Sequence, residues 1–204
     1  MKALIIVDVQ NDFLPGGALE VREGDSIIPV INALQKKFDL IVATQDWHPA
    51  NHRSFAANNK GRQVGEIIDL AGIEQVLWPV HCVENTEGAA FHKNLDREKW
   101  ARIFQKGTNP VVDSYSGFFD NNRMGETGLG KYLKKKGVEK VFIAGLATDY
   151  CVKFTVMDAL SLGFKTYLIE DATRGVNLSP TDTERSVTEM RKAGAKITHS
   201  GKIL

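Results

Sequence analysis

The feature that most constrains the fold is a series of short, continuous apolar runs that alternate with segments of helical periodicity. Residues 3–7 and 141–144 carry apolar side chains at consecutive positions, which is typical of strands covered on both faces. Strands that alternate with helical segments indicate a parallel sheet between two helical layers. The sequence therefore predicts a three-layer α/β/α fold with a mostly parallel six-stranded sheet, in a single domain over residues 1–204.

Six strands are predicted from these runs, and residues 196–198 are predicted as a short additional edge strand. The six strands are residues 3–7, 40–43, 76–78, 102–105, 140–144 and 165–169. In open sheets of this kind, ligands bind beyond the carboxyl ends of the strands. The polar residues that directly follow the strands are therefore the candidates for function.

Charge and cysteine content limit the classes of partner. The 26 basic and 25 acidic residues leave a formal net charge of +1, so no electrostatic case exists for nucleic acid or an anionic membrane. No apolar run approaches the roughly 20 residues of a membrane span, and the amino-terminal run is too short for a signal peptide. Two cysteines favour a reducing compartment. We expect a cytoplasmic protein with a small-molecule substrate, as a monomer or a homo-oligomer.

Cys151 is the predicted nucleophile. A glycine turn at residues 145–151 leads from an apolar run into a helical pattern, so Cys151 is expected near a helix amino terminus. The unpaired N–H groups and the dipole at that position favour a thiolate and can hold an oxyanion. Cys82 lacks this context, and a buried core thiol is the better interpretation for it.

Asp8 and Lys106 follow two other predicted strands and complete a candidate catalytic set with Cys151. A nearby ammonium lowers the pKa of a thiol, and a carboxylate can accept its proton and later deliver that proton to a leaving amine. Taken singly, Asp8 would be a strand-end cap and Lys106 a surface cation. The combination favours acyl transfer through a thioester, with ammonia as the leaving group.

Asp46, His48 and His81 follow strand ends as well and form a candidate metal site. One carboxylate and two imidazoles leave coordination positions open, which suits a working Zn, Fe or Mn ion. An Asp-x-His pair alone is more often a solvated loop pair, but the addition of His81 favours a metal. His52 and Ser54, further along the same loop, could supply another contact directly or through water.

Five segments, in order along nearly the whole chain, resemble the bacterial nicotinamidases (pyrazinamidases), which belong to the isochorismatase-like cysteine hydrolases. These segments are residues 8–13, 45–49, 78–83, 106–107 and 145–152. The resemblance implies hydrolysis of nicotinamide to nicotinate and ammonia, and of pyrazinamide to pyrazinoate, within NAD salvage. The implied intermediate is a thioester on Cys151.

The resemblance also implies a role for each matching residue. Cys151 would be the nucleophile, Asp8 the general base and acid, and Lys106 the third catalytic residue. A divalent metal, with zinc as the first expectation and iron or manganese as alternatives, would have an open position that meets the pyridine nitrogen. Its ligands would be Asp46, His48 and His81.

Further implied roles concern the substrate. Phe13 and Trp78 would sandwich the ring, with Tyr115 nearby. The backbone N–H groups of Ala147 and Cys151 would form an oxyanion hole, next to a cis peptide that precedes Ala147. Some relatives have an additional histidine ligand where this chain has Ser54.

Three other functions are compatible with parts of this pattern. A cysteine amidase of the same fold could act on another small amide, such as an N-carbamoyl compound, although Phe13 and Trp78 argue for a ring. In a metal–water hydrolase the metal would activate water and Cys151 would be structural. A non-enzymatic small-molecule sensor is the third alternative.

Overall fold

The computed structural model describes residues 1–203, over which the chain forms eight strands and four α-helices. In chain order these are β1 (Lys2–Val7), α1 (Ile28–Gln35), β2 (Leu40–Asp46), β3 (Ile67–Leu70), β4 (Ile73–Val76), β5 (Trp100–Lys106), α2 (Leu129–Lys135), β6 (Lys140–Leu146), α3 (Lys153–Ser161), β7 (Lys165–Arg174), α4 (Asp182–Lys192) and β8 (Lys196–Thr198).

Six of the strands form one parallel sheet in the order β5–β2–β1–β6–β7–β8. The two central strands, β1 and β6, are the most continuously apolar segments of the chain, because a strand flanked by neighbours and covered on both faces has little contact with water. β3 and β4 lie outside this sheet as a small antiparallel hairpin.

Both faces of the sheet are covered, and β1 contributes to both cores. Leu4 and Ile6 belong to a core on the α1 side, whereas Ile5 and Val7 belong to a second core on the side of α2, α3 and α4. This division follows from the alternation of side chains along a strand. The predicted three-layer α/β/α architecture is therefore confirmed.

One predicted strand is wrong. Residues 76–78 were expected in the sheet, but Val76 is the last residue of the β4 hairpin strand and Trp78 makes only an isolated bridge to Phe55. A run of three apolar residues does not distinguish a sheet strand from the end of a hairpin. The sixth strand of the sheet is instead β8, which was predicted as an additional edge.

The helices are short. The longest of those described, α4, has 11 residues, and none within residues 1–203 is long and apolar enough to cross a membrane. Both cysteines are buried and free.

Candidate active site

Four neighbouring strands bring four of the predicted functional residues to one edge of the sheet. Lys106 and Asp46 are the last residues of β5 and β2 and lie opposite each other in the parallel register. Asp8 directly follows β1, and Cys151 follows β6 after a short turn. Since these strands are adjacent in the order β5–β2–β1–β6, the side chains converge.

The Lys106 ammonium is the centre of this cluster. Its Nζ lies 2.5 Å from Asp46 Oδ1, 2.9 Å from Asp8 Oδ2 and 3.4 Å from Cys151 Sγ. It also donates a hydrogen bond to the carbonyl oxygen of Ser114 at 2.8 Å. The side chain is fully buried. One ammonium is thus shared between two carboxylates and the thiol.

Mutual attraction keeps Lys106 and Asp46 ionised. Burial would lower the pKa of Lys106, but the carboxylates of Asp46 and Asp8 raise it well above its usual value. Burial would likewise raise the pKa of Asp46, but Lys106 and His48 hold it well below its usual value. Opposite charges at contact distance therefore outweigh desolvation for both groups.

The pKa values of Asp8 and Cys151 shift so as to favour the neutral form, because for these two groups burial outweighs the attraction of Lys106. Burial raises the pKa of Asp8 against the opposing effects of Lys106 and of Thr44, whose hydroxyl donates to Asp8 Oδ1 at 2.6 Å. Burial raises the pKa of the Cys151 thiol well above its usual value, although Lys106 opposes this. Lys106 thus lowers the thiol pKa as predicted, but burial outweighs this effect and the net pKa is raised. The thiol needs a base, and the Asp8 carboxylate lies within 4.8 Å of Sγ.

The turn that carries Cys151 differs in detail from a simple helix start. The peptide bond between Leu146 and Ala147 is cis, as the resemblance implied. Residues Thr148–Val152 form one π-helical turn, and α3 begins only at Lys153. The carbonyl oxygen of Ala147 accepts hydrogen bonds from the N–H groups of Tyr150 and Val152, at 3.1 and 3.0 Å. The oxyanion hole stays a prediction.

Three potential metal ligands lie close together: Asp46, His48 and His81. Asp46 Oδ2 lies 3.4 Å from His48 Nε2 and 3.6 Å from His81 Nε2. Each imidazole Nδ1 contacts a backbone carbonyl oxygen, that of Gly107 at 2.9 Å for His48 and that of Pro79 at 2.8 Å for His81. A carbonyl oxygen only accepts, so both Nδ1 atoms carry the proton.

This arrangement fits a divalent cation. In the neutral form of each ring, with the proton on Nδ1, the Nε2 lone pair faces the Asp46 carboxylate, so three acceptors converge. Carbonyl-oriented imidazoles of this kind are typical of metal-binding histidines. Burial would lower the pKa of His48, but the negative charge of Asp46 outweighs burial and raises it. The donor set of one carboxylate and two imidazoles suits zinc and its neighbours in the first transition row.

His52 points elsewhere. Its Nδ1 lies 2.7 Å from the Ser54 hydroxyl, and its Nε2 has no hydrogen-bond partner within residues 1–203. It forms a separate buried group with His48 and Asp113. Burial, with a smaller effect of His48, lowers the pKa of His52 to about 4, so the ring is neutral at physiological pH. A contact from His52 or Ser54 to a metal held by Asp46, His48 and His81 stays a prediction.

A small cavity opens onto Cys151 and contains all three predicted substrate-binding residues. Its lining is Phe13, Leu19, Asp46, Trp78, His81, Asp113, Tyr115, Ala147, Tyr150, Cys151 and Val176. Asp8, Lys106 and His48 are not part of this lining and are buried. The cavity thus joins the thiol, two of the metal-ligand candidates and several aromatic rings.

Four lining residues were missed by the sequence analysis: Leu19, Asp113, Tyr150 and Val176. Tyr150 packs edge-to-face on Trp78, with ring centroids 4.9 Å apart, and its position directly before Cys151 could have revealed it. The other three come from loops without periodicity. Tyr115 was expected nearby, and its hydroxyl accepts a hydrogen bond from Trp78 Nε1 at 3.1 Å.

Two further side chains fix the backbone of the metal-ligand candidates. Gln10 accepts from the N–H of Asp46 and donates to its carbonyl oxygen, both at 2.8 Å. Asp12 Oδ2 accepts from the N–H of Cys82, the residue after His81, at 2.7 Å. Both belong to the segment of residues 8–13 that carries the family resemblance.

Comparisons with known proteins agree with this geometry. The family model described as the Isochorismatase domain matches residues 2–201. The nicotinamidase of Escherichia coli is 49% identical over 200 residues, which cover 96% of this chain and 93% of that protein. The solved nicotinamidase/pyrazinamidase of Acinetobacter baumanii has a TM-score of 0.97 at 45% identity and covers 100% of this chain and 98% of its own.

A pyrazinamidase of Pyrococcus horikoshii, solved in complex with zinc, has a TM-score of 0.80 at 45% identity. That similarity covers 97% of this chain and 98% of the archaeal one. The chain belongs to the isochorismatase-like family of hydrolases, on its nicotinamidase/pyrazinamidase branch.

Proposed function

We propose that this protein is a nicotinamidase, which converts nicotinamide and water to nicotinate and ammonia and also converts pyrazinamide to pyrazinoate. Its role would be the recycling of nicotinamide toward NAD. The observation that carries the proposal is that two sets of residues lie together at one cavity lined by aromatic rings. These are the buried cluster of Asp8, Lys106 and Cys151 and the metal-ligand candidates Asp46, His48 and His81. The relative from Escherichia coli, named a nicotinamidase, supports the same reaction.

Asp46, His48 and His81 would hold the metal, and zinc is our first choice because the archaeal relative was solved in complex with zinc. When bound, a divalent ion supplies a Lewis-acid position for the pyridine nitrogen of the substrate. Phe13 and Trp78, on the cavity wall, would hold the flat ring. This lining suits an aromatic amide better than a ureide.

In the first half-reaction Asp8 transfers protons and Lys106 stabilises negative charge. Asp8 takes the proton of the Cys151 thiol, and the Lys106 ammonium stabilises the resulting thiolate. Sulfur bonds to the amide carbon, with the developing oxyanion at the N–H groups of Ala147 and Cys151. The carbon–nitrogen bond then breaks as Asp8 delivers its proton to the departing ammonia, which leaves a thioester.

The second half-reaction restores the enzyme. Asp8, again ionised, accepts a proton from water, and the hydroxide adds to the thioester carbon. The carbon–sulfur bond breaks, Asp8 returns the proton to the sulfur, and the acid product ionises to nicotinate in solution. One water is consumed and one ammonia is released for each turnover.

Release of ammonia and nicotinate by the purified, metal-loaded protein tests this proposal. Cys151→Ala should release neither product yet bind metal as the wild type does, since Cys151 is not among the proposed ligands. Cys82→Ala, at the other buried cysteine, is the matched control and should keep most of the activity. Hydrolysis of an N-carbamoyl compound but not of nicotinamide would replace the proposal with the related cysteine amidase.

A further inference from the structure

A buried carboxylate links the Cys151 turn to a loop on the other side of the cavity. Asp149 lies two residues before Cys151 and is only 6% exposed. Its Oδ1 accepts the N–H of Val176 at 2.9 Å, and its Oδ2 accepts the N–H of Asn177 at 2.7 Å. Hydrogen bonds from N–H groups to an ionised carboxylate are stronger than those between neutral partners. Asp149 thus holds two consecutive peptide groups of the segment that follows β7.

The segment is fitted closely to this carboxylate. A Cβ atom on Gly175 would lie 3.2 Å from Asp149 Oδ1 and 1.9 Å from Thr183 Oγ1, so a larger residue here requires the Thr183 side chain or the segment itself to shift. Asn177 has a positive φ of 54° and accepts the N–H of Thr183 with its side-chain oxygen at 2.9 Å. Hydrogen bonds therefore anchor Val176 and Asn177 to the Cys151 turn, and Asn177 also to α4.

Val176, between these anchors, is part of the cavity lining together with Ala147 and Cys151. It is half-buried and follows the end of β7 at Arg174, so neither a strand nor a helix fixes its position. The backbone hydrogen bond from its own N–H to Asp149 does so. The position of this part of the cavity lining therefore depends on that bond.

We propose that Asp149 is a positioning residue that sets the ring-substituent specificity of the site, because it holds Val176 against the cavity. The inference rests on the proposed hydrolysis of an aromatic amide and deepens it. Asp149 itself is absent from the cavity lining and acts through Val176. In Asp149→Asn one oxygen becomes an NH₂ group, which faces a backbone N–H donor, so one anchor is lost and the wall moves outward.

Three variants test the inference by different routes: Asp149→Asn removes an anchor, Gly175→Ala displaces the loop while the carboxylate stays, and Val176→Ala shortens the wall. The measurement is steady-state kinetics on nicotinamide and on a set of isomeric ring-methylated nicotinamides. We expect one methylated compound to gain about tenfold in kcat/KM relative to nicotinamide, which is the usual effect of one methyl group in a pocket. The favoured compound should be the same in all three variants. In Asp149→Asn, KM for nicotinamide should rise more than kcat falls.

Asp171→Asn is the matched control. The Asp171 carboxylate also accepts a backbone N–H, that of Ser200 at 2.8 Å, but neither residue lines the cavity. Its substitution should leave the isomer preference unchanged. The inference is overturned if Asp149→Asn and Gly175→Ala reduce kcat/KM for all amides by one common factor, or if Asp171→Asn shifts the preference equally.

Two further readouts separate the possible failures. Should Asp149→Asn not fold, Gly175→Ala decides, since it leaves the carboxylate in place. A wild-type protein that does not hydrolyse nicotinamide contradicts the proposed function alone. The preference among methyl positions is then measured as binding affinity for nicotinate and its ring-methylated derivatives, and an unchanged preference in Gly175→Ala and Val176→Ala overturns the inference.

Discussion

At the scale of single residues, the site depends on one buried ammonium. Lys106 Nζ is within 3 Å of carboxylate oxygens of both Asp46 and Asp8, and these two carboxylates would repel each other without it. Removing one member of a buried ion pair strands the remaining charge in a medium of low dielectric, which costs more than the pair contributed. Lys106 therefore has a structural role besides its proposed catalytic one.

Lys106→Met should lower the free energy of unfolding of the metal-free protein by about 3–5 kcal/mol, because Asp8 and Asp46 are left without their counter-charge. Chemical denaturation monitored by fluorescence measures this. A second variant that combines Lys106→Met with Asp8→Asn should recover part of the lost stability, since a neutral amide then replaces one of the two buried carboxylates. A loss below about 1 kcal/mol, the range of exposed ion pairs, would contradict this account of Lys106.

The pH dependence of activity should report on Asp8 and Thr44. Asp8 acts as a base only when ionised, and burial raises its pKa, so the acid limb of kcat/KM should lie above about pH 3.9, the ordinary aspartate value. Thr44→Val removes a donor to the ionised form, at 2.6 Å. That loss raises the pKa of Asp8 further, and the acid limb should move to higher pH.

Thr166→Val is the control for this shift, because the Thr166 hydroxyl is also buried in a strand but donates to the carbonyl oxygen of Phe164. The acid limb of kcat/KM in Thr166→Val should lie at the same pH as in the wild type. An acid limb that stays in place or moves to lower pH in Thr44→Val would exclude Asp8 as the titrating base.

At the scale of elements, the turns after the strands determine how the metal-ligand candidates are held. Gly107, directly after β5, has a φ of +68°, and a Cβ atom there would lie 2.3 Å from His48 Cε1. Its carbonyl oxygen also accepts the Nδ1 proton of His48. The turn thus sets both the tautomer and the position of this imidazole.

Gly107→Ala should weaken metal binding at least about tenfold, the usual cost of disturbing a group that orients a ligand. Competition with a chromophoric chelator measures the affinity without reference to turnover. Gly61→Ala is the matched control, since Gly61 has a similar φ of +77° but nothing within 4 Å of the added Cβ. Equal affinities in the two variants would show that Gly107 does not position a ligand.

The strands that carry the site were predictable, and the loops that shape it were not. Continuous apolar runs mark β1 and β6 because burial on both faces excludes polar residues. Thr44 could also have been recognised, since it lies two residues before Asp46 and so on the same face of β2. The contact between Asp149 and Val176 joins residues far apart in sequence and leaves no periodic signal. The raised thiol pKa of Cys151 was missed because exclusion of water is a property of the folded site.

At the scale of the whole molecule, the central sheet unites the two cores. β1 places alternate side chains in each core, so neither helical layer retains a complete core without the sheet. We therefore propose that the chain is a single domain, as the sequence predicts.

Unfolding should accordingly occur in one cooperative transition, with coincident curves from far-UV circular dichroism and tryptophan fluorescence. Metal that binds only the folded state should raise the free energy of unfolding by about 2.7 kcal/mol at a concentration of 100 times Kd. Two separated transitions would contradict the single-domain proposal, and an unchanged stability with zinc would contradict the metal site.

The central claim is that Cys151 attacks the amide carbon and carries the acyl group, and acid-quenched turnover followed by peptide mass spectrometry tests it most directly. During hydrolysis of nicotinamide, the account predicts that the peptide containing Cys151 gains the mass of a nicotinoyl group, and that Cys151→Ala shows neither the adduct nor ammonia release. A nicotinoyl group on another residue, or turnover by Cys151→Ala, would contradict the claim.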